Sequence, residues 1–276
     1  MIRRFDIHPL TWFVIGIAIL TGFFRDLVVL IAIILIHELG HYTVARFFNW
    51  RVRRIVLLPF GGVAEVDEHG NRPFKEELLV VLFGPLQHLW LIGIGFCFVY
   101  FSVWSPAFFE TFLAYNLMIL IFNLLPIWPL DGGKLLFLLF AYFRPFKKAH
   151  LSILAFSFLF LISFALVSVI TFQTHLNVVI ILVFLLLSLY TEYRHHYYVF
   201  LRFLLERLEK KTGGRRNKSL AVHPNEQIEN VLKMFQKGVH HTIVTHRHCK
   251  DERELLEAYF IHKKIKTTVR QLFRLE

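Results

Sequence analysis

A chain of 276 residues that is 56% hydrophobic, only 18% charged and holds 31 phenylalanines carries more apolar surface than a soluble domain of its size can bury. It reads as an integral membrane protein with a modest soluble appendage. The net charge of +11 gathers toward the C-terminus, where residues 201–276 carry 17 Lys/Arg against 9 Asp/Glu, yet no nucleic-acid-reading motif accompanies it.

Uncharged runs mark the predicted elements in order. Ile7–Phe24 is a first span, retained because no small-residue cleavage site follows it. Leu27–Ala45 is the second, and Glu38 is its only charged residue. Leu78–Phe101 is the third, followed by a turn at Ser102–Pro106. The fourth begins near Thr111 and is broken by Asn123, Pro126 and Pro129. Leu151–Phe172 and Leu176–Thr191 complete six crossings, each close to the 20 or so residues that a bilayer requires.

Basic residues set the expected orientation. Arg3 and Arg4, then Arg46, Arg51, Arg53, Arg54, Arg72 and Lys75, then Arg144, Lys147 and Lys148, and finally the tail fall on alternate sides of the spans, whereas the opposite loops hold only Arg25. Positive charge stays in the cytoplasm, so both termini are expected there. Attraction of the tail to anionic lipid or to an acidic partner is the sharper alternative. Cys97, in an apolar run, and Cys249 give no disulfide framework.

The second span holds His37-Glu38-Leu39-Gly40-His41. Helix positions i and i+4 lie about 40° apart around the axis, so both imidazoles share a face. This is zinc-ligand spacing, with Glu38 placed as a general base toward water. Ionisable groups at this depth, roughly 12 Å in from Ala45, are costly unless they serve a function. A third ligand is expected, and Asp131 in Asn123-Leu124-Leu125-Pro126-Ile127-Trp128-Pro129-Leu130-Asp131-Gly132-Gly133 arrives on the same side of the membrane as His41. The bland reading of Asp131 is a helix cap at the interface.

His-Glu-x-x-His in an apolar span followed by Asn-x-x-Pro and Leu-Asp-Gly resembles the site-2 protease family of intramembrane zinc metalloproteases, over most of the chain. The resemblance implies a zinc ion held by His37, His41 and Asp131, Glu38 as base, and cleavage of a membrane-associated protein segment. It also implies that Asn123 and Pro126, with Phe60, Gly61 and Gly62 of the Leu58–Val66 loop, serve substrate binding. Gly84-Pro85-Leu86-Gln87-His88 is similar to a family segment that ends in Asn, so a role carried over to His88 is in doubt. The layout resembles a sporulation subtype. That likeness implies the pro-form of a mother-cell sigma factor as substrate, membrane-bound inhibitor proteins as partners and the membrane around the forespore as location. The alternative is a metal-binding transporter or receptor without hydrolysis, although the spans show no internal repeat.

The domain expectation is a membrane metalloprotease domain over 1–200, a linker over 201–218 and a small cytoplasmic α/β domain over 219–276. A helix through Gln236 and a strand over His241–Thr245 resemble one shortened cystathionine-β-synthase-type (CBS) repeat. It would bind adenine nucleotide only by pairing between subunits, as a homo-oligomer, and a ligand-free docking domain is equally compatible. His240, His241, His246, His248 and Cys249 are read as surface residues rather than a second metal cluster.

Overall fold

The computed structural model describes residues 5–7, 9–58, 61–66, 71–171, 176–209, 216–245, 248–263 and 267–273. Most described residues are helical, in the order β1 (Phe5–Ile7), α1 (Pro9–Thr21), α2 (Phe24–Phe47), β2 (Val52–Leu58), β3 (Gly61–Val66), α3 (Phe74–Tyr100), α4 (Pro106–Leu124), α5 (Asp131–Phe143), α6 (Phe146–Thr171) and α7 (Leu176–Glu209). The C-terminal segment adds β4 (Arg216–Ala221), α8 (Ile228–Leu232), β5 (Val239–Thr245), β6 (His248–Asp251), α9 (Glu252–Phe260) and α10 (Val269–Phe273).

Among the described residues, α2, α3, α4, α6 and α7 are long and apolar enough to cross a membrane. Side chains such as Leu20, Tyr100, Leu159 and Ile170 stand exposed, as expected of surfaces solvated by lipid rather than water. The expected first span contains only the 13-residue α1. Helix α4 begins at the expected turn: Ser105 accepts the Phe108 N–H, and Pro106 occupies a first-turn position where no N–H is needed.

The chain forms two compact units. The first contains β1–β3, α1–α4 and the start of α5 through Leu135. Its sheet has the order β1-β2-β3, with β1 parallel and β3 antiparallel to β2, and β3 lies against α2. Ile33 and Ile34 of α2, Leu91 of α3, and Phe109, Phe112 and Ile119 of α4 form the core that holds these three helices together. Gly95 permits this approach, because a Cβ there would fall 2.7 Å from the Phe109 ring.

The second unit contains the rest of α5, helices α6 and α7, and the chain beyond them. Helix α7 does not stop near Thr191 but runs 34 residues to Glu209. At about 1.5 Å per residue this is roughly 50 Å, well beyond a hydrocarbon core of about 30 Å. Its far end is helical because Phe200, Phe203 and Leu204 are buried with Phe146, Ala149 and Ile153 of α6 and with Ile228, Leu232, Phe235 and Leu255 of the tail. Packing overrides the polar composition that suggested a linker from 201 onward.

In the tail, β4 runs parallel to β5, and β6 returns antiparallel. The helix expected up to Gln236 is confined to α8, since the segment from Pro224 onward first forms turns.

His241 departs from the surface expectation: it is fully buried and stacks on Phe235 at 4.8 Å. The inward face of β5 alternates through His241, Ile243 and Thr245, which places the imidazole in the core. Its Nε2 accepts the Gln236 N–H at 3.2 Å, while its backbone N–H and Nδ1 reach Glu252 Oε2 at 2.8 and 3.2 Å. Arg207 of α7 clasps both Glu252 oxygens at 3.0 and 2.9 Å. His240 is partly exposed, His248 and Cys249 are exposed, and His246 lies outside the described residues.

Burial lowers the His241 pKa. Burial alone would raise that of Glu252, but His241 and Arg207 outweigh it and hold the carboxyl below its ordinary value. Both groups therefore bind protons less readily folded than unfolded, and their contribution is complete above pH 6.5. It falls first as His241 is protonated below 6.5, then as Glu252 is protonated below 4.5. Proteolysis of the β4–α10 segment in the intact protein should therefore accelerate with acid. Glu252→Ala strands the buried Arg207 and should weaken the segment by about 3–5 kcal/mol at neutral pH.

Candidate metal centre

Helix α2 is apolar for most of its length, but His37, Glu38, Gly40 and His41 are buried while Leu39 between them is exposed. The turn of the helix puts His37 and His41 edge to face, ring centroids 4.8 Å apart. Their Nε2 atoms are 3.1 Å from each other.

Asp131 reaches the same point. Its Oδ2 lies 3.0 Å from His41 Nε2 and 3.1 Å from His37 Nε2, and the residue is 2% exposed. Local backbone chemistry explains how a residue ninety positions away arrives there. Helix α4 ends at Leu124 before Pro126, whose ring bars continuation of the helix. Helix α5 then starts at Asp131, and Gly132 lets the new helix lie directly on the end of the old one. A Cβ on Gly132 would come within 2.1 Å of the Leu124 carbonyl.

The second carboxylate oxygen is occupied elsewhere. Lys134, one turn along α5, donates to Asp131 Oδ1 at 3.1 Å, leaving Oδ2 turned to the imidazoles. His41 Nδ1 donates to the Val80 carbonyl of α3 at 2.7 Å. A carbonyl offers only lone pairs, so the neutral His41 ring carries its proton at Nδ1 and is bare at Nε2. That bare nitrogen faces a carboxylate oxygen at 3.0 Å, an arrangement stable only around a positive charge. Two imidazole nitrogens and one carboxylate oxygen meeting at one point suit a divalent zinc ion with a fourth position open.

The two nearby carboxylates are not equivalent. Glu38 has an oxygen within 4.8 Å of the imidazole donors, whereas Asp131 sits at contact distance from both. His37 Nδ1 faces His88 Nε2 at 3.0 Å, and His88 Nδ1 in turn meets Asn116 Oδ1.

Asn123 donates to the Ile119 carbonyl at 3.1 Å, which solvates its own helix end. Pro126 is half-buried beyond the end of α4. Gly61 and Gly62 open β3 opposite Leu58 and Leu57, and Phe60 lies outside the described residues. Lys134 and Asn116 were not singled out by sequence, and Gly84 entered only as the first residue of the Gly84–His88 segment. A lysine three residues after Asp131 and an amide in the middle of an apolar helix were the available signals for the first two.

The peptidase family M50 model matches residues 26–108 and 102–166. Stage IV sporulation protein FB of Bacillus subtilis (strain 168) is 42% identical over 278 residues, covering 99% of this chain and 96% of that protein. A zinc metalloprotease of Methanocaldococcus jannaschii is 35% identical over 130 residues, 45% of this chain and 37% of its own. The solved site-2 protease from Methanocaldococcus jannaschii has a similar fold, with a TM-score of 0.55 at 23% identity, covering 68% of this chain and 89% of that one.

Gly84 tests the geometry, because a Cβ there would sit 2.2 Å from the His41 ring. Gly84→Ala should push the imidazole off the common point and cost on the order of 100-fold in metal-dependent activity. Gly93→Ala in the same helix, where nothing lies within 4 Å, should leave activity unchanged.

Proposed function

The chain belongs to peptidase family M50 and is a zinc metalloprotease of the membrane; on that premise we propose that His37, His41 and Asp131 hold the ion and that Glu38 is the general base. The observation that carries this assignment is the convergence of His37 Nε2, His41 Nε2 and Asp131 Oδ2 within 3.1 Å. Zinc bound there supplies Lewis acidity, polarising the scissile carbonyl and making water easier to deprotonate. Glu38 takes the proton from the attacking water and delivers it to the departing amine as the C–N bond breaks. Lys134 keeps the Asp131 carboxylate from rotating, and Val80 keeps the His41 ring from turning. Buried in an apolar helix bundle, Glu38 has little bulk water to compete with it.

A helical peptide hides its carbonyls in its own hydrogen bonds, so the substrate segment must unwind before attack. The β2–β3 hairpin, through Phe60, Gly61 and Gly62, together with Asn123 and Pro126, is the proposed guide for the extended strand. The packing of β3 against α2 supports this reading, as an added strand could pair beside the catalytic helix.

Counting α1 as a short first crossing gives six spans with both termini in the cytoplasm, an arrangement supported by the alternation of basic loops. The proposed substrate is the membrane-associated pro-form of a sigma factor, with membrane inhibitor proteins as regulators, acting in the membrane around the forespore. Its support is the 42% identity to a stage IV sporulation protein over nearly the whole chain. The order β4-α8-β5-β6-α9 is compatible with one CBS-type repeat, whose nucleotide site would require a homo-oligomer.

Co-expression with a membrane-tethered pro-protein, scored by its size shift, tests the assignment. Glu38→Gln should lower cleavage by about 100- to 10,000-fold while zinc stays bound. Asp131→Ala should lose cleavage and zinc together. A Glu38→Gln protein that still cleaves would overturn the role of the base. A chelator should stop cleavage and added zinc restore it. Helix-breaking residues near the cut should speed cleavage, and equal cleavage of a rigid helical substrate would contradict the unwinding step.

A further inference from the structure

His88 of α3 and Asn116 of α4 are both 0% exposed, so neither polar group has water to satisfy it. They are not scattered polar residues. His88 bridges His37 and Asn116 in a line: His37 Nδ1 to His88 Nε2 at 3.0 Å, then His88 Nδ1 to Asn116 Oδ1.

Proton bookkeeping gives the line a direction. An imidazole that turns a bare Nε2 toward a cation keeps its proton at Nδ1, so His37 donates to His88 Nε2. His88 must then carry its own proton at Nδ1, and it donates that proton to Asn116 Oδ1. Each bond then has one donor and one acceptor. Reversed, the line would leave His37 bare at Nδ1 and place a proton on Nε2, among the converging donors.

The amide of Asn116 supplies a second observation. Its Nδ2 is buried and has no hydrogen-bond partner among the described residues, a costly condition for an amide nitrogen. Turning the amide over would aim that nitrogen at His88, setting N–H against N–H. The oxygen faces His88 because His88 needs an acceptor, and the unpaired nitrogen is the consequence.

We infer that His88 is a positioning residue for His37, setting its tautomer and ring plane, and that Asn116 sets His88 in the same way. This rests on the reading of His37 as a zinc ligand. The two imidazoles of the motif are then oriented differently. His41 is held by a backbone carbonyl that no side-chain substitution removes, whereas His37 is held by two side chains on two other helices. The imidazole of His88 spans the gap between α2 and α4, and its two nitrogens serve opposite ends at once.

The test uses full-length protein in detergent in the Glu38→Gln background, with zinc affinity measured against a chromophoric chelator and ligand geometry read from the cobalt(II) absorption spectrum. His88→Leu and Asn116→Leu should each weaken zinc binding by about 10- to 100-fold and change the cobalt spectrum. Asn116→Asp, which keeps an oxygen facing His88 Nδ1, should retain the parent affinity and spectrum. The inference fails if both leucine variants bind like the parent, or if Asn116→Leu and Asn116→Asp weaken binding equally. Should His88→Leu not fold, as judged by circular dichroism, the Asn116 pair decides the matter alone. A parent protein that does not bind zinc would instead overturn the ligand assignment. A zinc-binding parent with unaltered variants would remove only the role of His88.

Discussion

Three electron-rich atoms, two imidazole nitrogens and a carboxylate oxygen, stand within 3.1 Å of one another inside an apolar bundle. Such a meeting is repulsive without a cation and expensive to desolvate even with one. Much of the first unit can be understood as the means of holding it. Helix α2 contributes two atoms through its own pitch, the broken α4–α5 passage brings the third, and Val80 and Lys134 bind the far atoms of His41 and Asp131, Nδ1 and Oδ1.

Close approach of backbone is the other requirement. Gly84 leaves room for the His41 ring and Gly132 for the end of α4. At both positions a single methyl group would collide with a neighbour, at 2.2 and 2.1 Å. Neither glycine has a positive φ, and both serve proximity rather than turn geometry. The same economy explains Pro126, which ends one helix so that another can begin with its carboxylate aimed inward.

The convergence of His37 and His41 was legible in the sequence because helix periodicity alone aligns i and i+4. Asp131 was legible for a different reason: a broken span delivers its far end to the same side as the motif. Long apolar runs likewise located α2, α3, α4 and α6 closely. What the sequence hid depended on tertiary packing. Helix α5 was hidden because its first residues follow two prolines and resemble a loop. The end of α7 was hidden because its charged residues suggested a linker, while Phe200, Phe203 and Leu204 between them are core. His241 looked like one of several surface histidines, although stepping by two from Ile243 reaches it. The partners of His88 needed three helices in space, and a sequence contains no such distances.

Continuity of α7 has a mechanical meaning. Its apolar stretch and the stretch that shares a core with Ile228, Leu232 and Phe235 are one uninterrupted rod. A helix of that length resists bending and twisting far better than a glycine-rich tether would. A pull or rotation applied to the C-terminal segment is therefore transmitted along the rod instead of being absorbed by slack, and severing that segment would uncover the face of α7 that carries Phe200, Phe203 and Leu204.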